Sequence, residues 1–246
     1  MTDLVALQRT NTQRWANAKP TRDFATIAKR LTAADAVSRY QAVSAETGVP
    51  WPVIAVIHER ECSQDWTRSL AQGDPWDRVS VHVPAGRGPF KSWEDAAVDA
   101  LNDCAPYAGR NKDWSIGALL TKLEEYNGLG YAARGVPSPY VWAGTDQYRS
   151  GKYVRDGVYD PNVIDSQPGC AGLLMAMKAL DPAITFTAAA QAPVDTNAPT
   201  PAGPKTAAPT PPLKAPSLQI PASGSIGAWI ASGLSTLLAV FKPKGK

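Results

Sequence analysis

The sequence has few of the residues that metal-dependent or nucleophilic catalysis requires. Its 246 residues include only two histidines, His58 and His82, and three widely spaced cysteines, Cys62, Cys104 and Cys170. An odd number of cysteines at such spacing fits neither a disulfide framework nor a zinc-binding pattern. We therefore expect reduced, partly buried thiols, histidines that pack or form hydrogen bonds, and a protein without a metal ion or a cofactor.

A strong net charge is also missing. The formal charge is +3 and the isoelectric point is about 8.7, a mild balance that predicts no nucleic-acid partner but suits approach to an anionic cell wall or membrane surface. The first residues, 1–11, do not combine a positively charged start with an apolar run, so we expect synthesis in the cytoplasm without a secretory signal. If the protein works outside the cytoplasm, another component releases it.

Composition divides the chain into three segments. Residues 1–186 contain enough apolar residues to bury a core, whereas 187–224 are rich in Pro, Ala and Thr and predict a disordered linker. Residues 225–241 are uncharged and mostly apolar, and a basic end follows at 242–246. As a helix, 225–241 would be about 25 Å long, the short limit for crossing a bilayer. Two interpretations stay open for this C-terminal helix: association with the inner membrane, or docking on the globular domain or a partner.

The apolar periodicity before the linker predicts a mainly α fold with long loops rich in glycine and proline. Helices are predicted at residues 21–46, 53–61, 92–104, 115–126 and 170–180. The predicted loops are 73–91 and 127–168, and the short segment 80–83 is a candidate strand.

Two acids, Glu59 and Glu61, end the apolar segment 53–57. The C-terminal end of a helix carries partial negative charge, and burial or a neighbouring carboxylate also disfavours ionisation, so a carboxyl here is a candidate proton donor. Such a raised pKa is what the general acid of a glycosidase needs. The alternative is that both glutamates are solvated helix-end residues paired with Arg60.

Residues 126–169 interleave aromatic residues with Asn, Asp and Arg in a glycine-rich segment. Aromatic faces stack on sugar rings while amides and carboxylates bind hydroxyl groups, so this composition is typical of a sugar-binding groove. The alternative is a long structured loop whose aromatic residues pack beneath it. A loop of this length in a compact domain favours a functional role.

From about residue 33 to 180, the chain resembles the bacterial and phage lysozyme-family proteins of the lysozyme-like superfamily. The resemblance is carried by ordered motifs: I-H-E-R-E-S (here with Cys62 for Ser), G-D-P, V-P-x-G-R, W-E-x-A-x-D-A-L, and N-G-x-G-Y with its continuation to Y-D-P, at 57–62, 73–75, 83–87, 93–101 and 127–161. More distantly the chain is similar to goose-type lysozymes and soluble lytic transglycosylases. This resemblance implies a lysozyme-like α+β catalytic domain that acts on peptidoglycan glycan strands.

Carried over position by position, the resemblance implies that Glu61 is the general acid and that Asp74 is a second carboxylate, which helps to position a water molecule. It also implies that Asn127 contacts the substrate and that Tyr126 lies near the acid. The remaining candidate substrate-binding residues are Glu59, Tyr131, Tyr140, Trp142 and Tyr148. Cys62 departs from the serine of the family pattern and removes a hydroxyl from beside the acid.

The sequence therefore predicts an endolysin-like muramidase that cleaves the MurNAc-GlcNAc bond at the cell wall. With Asp74 on the opposite face of the sugar, hydrolysis with inversion is expected, and the two carboxyl groups should stand roughly 6.5 to 9.5 Å apart. Without a second carboxylate, Glu61 acts as both acid and base and the outcome is that of a lytic transglycosylase. A chitinase-like hydrolase and a non-catalytic wall-binding protein with a degenerate site are the further alternatives.

Overall fold

Helices dominate residues 2–187, the part of the chain that the computed structural model describes. The prediction of a mainly α protein is confirmed, while the predicted linker and C-terminal helix fall beyond residue 187, outside the described residues. In chain order the elements are α1 (Leu4–Asn17), α2 (Ala25–Leu31), α3 (Ala34–Thr47), α4 (Trp51–Cys62), α5 (Trp93–Asn102), a 3₁₀ turn (Ala108–Arg110), α6 (Ile116–Asn127), α7 (Gly130–Ala133), α8 (Pro139–Trp142), β1 (Lys152–Arg155), β2 (Val158–Asp160) and α9 (Cys170–Leu180).

The central helix is α4. Nine successive residues, Pro52 to Arg60, are buried, and because successive residues point in all directions around a helix, α4 is enclosed on every side. It packs mainly against α3 and α9. Pro50 precedes the helix and Pro52 lies in its first turn, where a missing N–H costs nothing. The core therefore fixes the position of the acidic C-terminal end of α4.

The helix predicted at 21–46 is two helices, α2 and α3. The break comes at Ala33, whose ψ of 142° is extended rather than helical. Just before it, the Thr32 hydroxyl donates a hydrogen bond to the Ala28 carbonyl. Helix α1 was not predicted at all. It packs along α6, and the side chain that it buries completely is the polar Asn11, so the sequence gives it no clear apolar stripe.

The segment predicted as a loop at 127–168 contains α7, α8 and the antiparallel pair β1 and β2. Lys152 lies opposite Asp160 and Tyr153 opposite Tyr159, and the strands turn at Gly157, which has a φ of +69°. The strand predicted at 80–83 does not form. Its N–H groups at Val81 and His82 donate to a carboxylate, Asp74, rather than to a neighbouring strand.

The other helices follow the predicted signals closely. The Ser92 hydroxyl caps α5 by accepting a hydrogen bond from the Asp95 N–H at 3.0 Å, and α6 and α9 lie within a residue or two of their predicted bounds. Within residues 2–187, none of the helices is both long and apolar enough to span a bilayer.

Candidate active site

The end of α4 has an unusual backbone. Ser63 and Gln64 follow the helix with φ values of +56° and +59°, a left-handed conformation that costs residues other than glycine on the order of 1 kcal/mol each. The Gln64 side chain is buried and bonds both the Arg30 guanidinium at 3.0 Å and the Tyr40 hydroxyl at 3.1 Å. These contacts hold the strained turn in place, and with it the last helical turn, which carries Glu61.

Glu61 lies partly buried in the last turn of α4. The Tyr140 hydroxyl on α8 donates a hydrogen bond to Oε1 of Glu61 at 2.9 Å. Burial raises the pKa of Glu61 to about 7, although the Tyr140 hydrogen bond and the charge of Arg60 act in the opposite direction. A substantial fraction of this carboxyl is therefore protonated near neutral pH, as a general acid requires.

Glu59 has a different role from that of Glu61. Residues two positions apart on a helix point in directions that differ by about 200°. Glu59 therefore faces away from Glu61 and toward α2, where its carboxylate pairs with Arg30 at 2.9 Å. Its side chain is only 6% exposed, which leaves little surface for a substrate. Burial rather than this neighbouring carboxylate raises the pKa of Glu61. The alternative in which both glutamates pair with Arg60 is wrong, because Arg60 binds Asp165 instead.

Two tyrosines join Glu61 from other helices. Tyr126, near the end of α6, is buried, and its hydroxyl donates to the Leu70 carbonyl at 3.1 Å. The nearby charge of Glu61 adds to burial in raising the pKa of Tyr126, so the two side chains belong to one environment. Asn127 is the last residue of α6 and is half-buried. The structure thus brings Glu61, Tyr126 and Tyr140 together, with Asn127 adjacent in the chain.

None of the five predicted sugar-binding aromatics offers an open ring face, and Tyr126 and Tyr140 are each only 3% exposed. Trp142 is fully buried, and Tyr131 and Tyr148 are 6% and 7% exposed. The Tyr131 hydroxyl accepts a hydrogen bond from the Tyr153 N–H at 3.0 Å, and the Tyr148 hydroxyl accepts one from the Asp165 N–H at 3.0 Å. These three rings pack beneath the segment that carries them, which is the alternative that the sequence left open, and they support the site without facing a ligand.

Asp74 closes the loop of residues 74–82. Its Oδ2 accepts hydrogen bonds from the N–H groups of Val81 and His82 at 2.8 and 2.9 Å, and its Oδ1 contacts Nδ1 of His82 at 2.6 Å. Burial opposes ionisation here, but these hydrogen bonds outweigh it and hold the pKa of Asp74 below its usual value. Asp74 is therefore an anion whose oxygens already have partners, and a weak proton acceptor.

The cysteines offer no nucleophile. All three are free, and Cys104 and Cys170 are buried, as predicted. The Cys62 Sγ lies 3.5 Å from the His58 carbonyl one turn earlier, and burial followed by the charge of Glu61 raises the pKa of its thiol. Burial disfavours the charged form of His58 as well, and here it lowers the pKa, to about 4. This histidine is therefore neutral. No group of three or more His, Cys, Asp or Glu side chains in residues 2–187 is arranged to hold a metal ion.

Two surface clefts lie away from Glu61. One, of about 550 Å³, runs between α1 and residues 132–136, and the other, of about 320 Å³, lies between residues 20–25 and α9. Neither is lined by a predicted site residue.

No protein family, curated protein or solved structure matches this chain, so the residues around Glu61 carry the functional argument.

Proposed function

We propose that this protein is a lysozyme-like enzyme that cleaves the MurNAc-GlcNAc backbone of peptidoglycan at the cell wall, with Glu61 as the general acid. The observation that carries the proposal is the environment of Glu61, a partly buried carboxyl with a pKa of about 7 at the end of the central helix. The ordered sequence motifs that resemble lysozyme-family proteins supply the substrate class.

Glu61 acts by protonating the glycosidic oxygen as the bond to the leaving sugar breaks. Its pKa of about 7 keeps a proton available while leaving the conjugate carboxylate able to take a proton back in a second step. The Tyr140 hydroxyl orients the carboxyl through Oε1. Partial burial of the carboxyl strengthens this hydrogen bond.

Two products are compatible with this acid, and the state of Asp74 favours one. A general base for hydrolysis needs an adequate pKa, whereas Asp74 accepts two backbone hydrogen bonds, contacts His82 and has a lowered pKa. Glu61 acting alone as acid and then base leads to attack by the C6 hydroxyl of the muramic sugar. We therefore favour the lytic transglycosylase outcome over hydrolysis with inversion. Mass spectrometry of the released muropeptides decides between them, since anhydro-muramic ends indicate the former and reducing ends the latter.

The central test is the rate at which purified peptidoglycan loses turbidity with the wild type and with Glu61→Gln. Because a general acid contributes about 10²- to 10⁴-fold, the variant should be at least about 100-fold slower while keeping the helical circular dichroism of the wild type. Lysis retained by Glu61→Gln would refute the assignment. A wild type that binds peptidoglycan without cleaving it would indicate a wall-binding protein, and preference for a GlcNAc polymer a chitinase-like enzyme.

Glu59→Gln is the matched control. It makes the same chemical change two residues away on the same helix, at a carboxyl that pairs with Arg30 rather than facing Tyr140. We expect its rate of lysis to stay near that of the wild type. A loss equal to that of Glu61→Gln would show that the end of α4 matters only for stability.

A further inference from the structure

A buried ion pair lies directly beside the acid. Nη2 of Arg60 and Oδ2 of Asp165 are 3.1 Å apart, and the two side chains are 5% and 1% exposed. Arg60 also donates to the Pro168 carbonyl at 3.1 Å, and its guanidinium carbon lies 4.8 Å from the centre of the Tyr140 ring. The residue before Glu61 in the chain therefore packs against the tyrosine that holds Glu61.

Asp165 connects this pair to the rest of the segment before α9. Its Oδ1 accepts hydrogen bonds from Nζ of Lys152 on β1 at 2.9 Å and from the Gln167 N–H at 3.1 Å. Its own N–H donates to the Tyr148 hydroxyl at 3.0 Å. Asp165 thus fixes the hairpin and residues 165–168 against the end of α4. Neither the sequence motifs nor the resemblance assigns it a role.

The groups that couple electrostatically to Glu61 come from four helices. Arg60 on α4 and Tyr140 on α8 lower the pKa of Glu61, whereas Glu61 in turn raises the pKa values of Cys62 on α4, Tyr126 on α6 and Cys170 on α9. Arg60 is the cation of this set, and an unpaired guanidinium within reach of a carboxyl strongly favours the ionised form. A negative charge that offsets the charge of Arg60 is therefore needed if Glu61 is to keep its proton.

We propose that Asp165 is a positioning residue of the site, which neutralises Arg60, holds it against the Tyr140 ring and so preserves Glu61 as a protonated acid. The inference rests on the proposed role of Glu61. It assigns Asp165 no contact with substrate, since its carboxylate is enclosed by Arg60, Lys152 and Gln167.

The test is direct titration of Glu61 by carboxyl carbon NMR with labelled glutamate, the Glu61 signal being identified by its loss in Glu61→Gln. Asp165→Asn keeps the shape of the side chain but leaves Arg60 without its counter-charge, and it should lower the pKa of Glu61 by about 1 or more. Arg60→Gln removes the cation and should raise the pKa. The double variant should return the pKa to the wild-type value or above it.

Several outcomes would overturn the inference: an unchanged pKa in Asp165→Asn, or a lowered pKa that the added Arg60→Gln substitution does not restore. A purely structural role predicts no such restoration, because the double variant loses both partners. If Asp165→Asn does not fold, Arg60→Gln still decides, since a pKa that fails to rise contradicts the proposed balance. A wild type without lytic activity would refute the proposed function, while the titration would still decide the coupling of Asp165 to Glu61.

Discussion

Removing the hydroxyl that faces the acid tests how the site sets its pH range. In Tyr140→Phe the ring stays in its buried place, but the 2.9 Å hydrogen bond to Oε1 of Glu61 is lost. This hydrogen bond favours the carboxylate and so lowers the pKa of Glu61, against the larger effect of burial, which raises it. The variant should therefore have a higher Glu61 pKa than the wild type, above about 7.

The size of the change follows from the difference between two hydrogen bonds. A hydrogen bond to a charged group contributes about 1.5 to 3 kcal/mol and one between neutral groups about 0.5 to 1.5 kcal/mol. The hydroxyl thus favours the ionised form by about 1.2 kcal/mol, the difference between the middle values of these ranges, which corresponds to a pKa change of just under about 1. Some of this gain is lost if water replaces the hydroxyl, so 1 is an upper value.

The assay is the rate of peptidoglycan clearance between pH 5 and pH 10. Wild-type activity should fall above pH 7 as Glu61 loses its proton, and in Tyr140→Phe this alkaline limb should move upward by up to about 1 pH unit. The maximal rate should fall as well, because the carboxyl is less well oriented. An alkaline limb that moves to lower pH would refute this account of the site, and Glu59→Gln should leave the limb unmoved.

Two further predictions concern groups around the site. Burial raises the pKa of Glu124 from 4.5 to about 7, so its contribution to folding stability is complete below pH 4.5 and is lost as the pH rises through 7, a fall of about 3 kcal/mol. Glu61, whose pKa is raised to the same value, adds a fall of its own. Chemical unfolding at pH 4.5 and pH 8 should therefore show a fall in the wild type that is larger by about 3 kcal/mol than the fall in Glu124→Gln, and equal falls would contradict it. Cys62→Ser should change stability by less than about 1 kcal/mol and the rate of lysis only slightly, because a Ser hydroxyl can bond the His58 carbonyl one turn earlier as the thiol does. A tenfold change in lysis would show that Cys62 acts on Glu61 directly.

Elements with a local signal were predictable from the sequence. The Ser92 cap of α5 and the apolar faces of α4, α6 and α9 are read within a short window, and the structure has these helices near their predicted positions. Helix α1 was missed because it buries Asn11, which bonds Thr121 on α6 across 110 residues. The break at Ala33 was missed because a change in ψ leaves the apolar pattern intact.

The candidate site shows the same division. The position of Glu61 at the end of a buried helix follows from the apolar run before it. In contrast, the roles of Tyr140 and Asp165 depend on contacts between residues 79 and 105 positions apart, which no local pattern encodes. In the sequence, Asp165 is an acid in the segment before α9, and nothing there distinguishes it from any other acid in a loop.

The neighbours of Glu61 come from α6, α8 and the start of α9, so its environment is complete only when the chain has been synthesised as far as α9. The contact from Arg60 to the Pro168 carbonyl joins residues 108 positions apart. A ribosome finishes α4 well before α9 leaves the exit tunnel, and the raised pKa of Glu61 depends on burial in the folded domain rather than on α4 alone. The order of synthesis therefore delays the raised pKa of Glu61, and with it the proposed general acid, until α9 has folded.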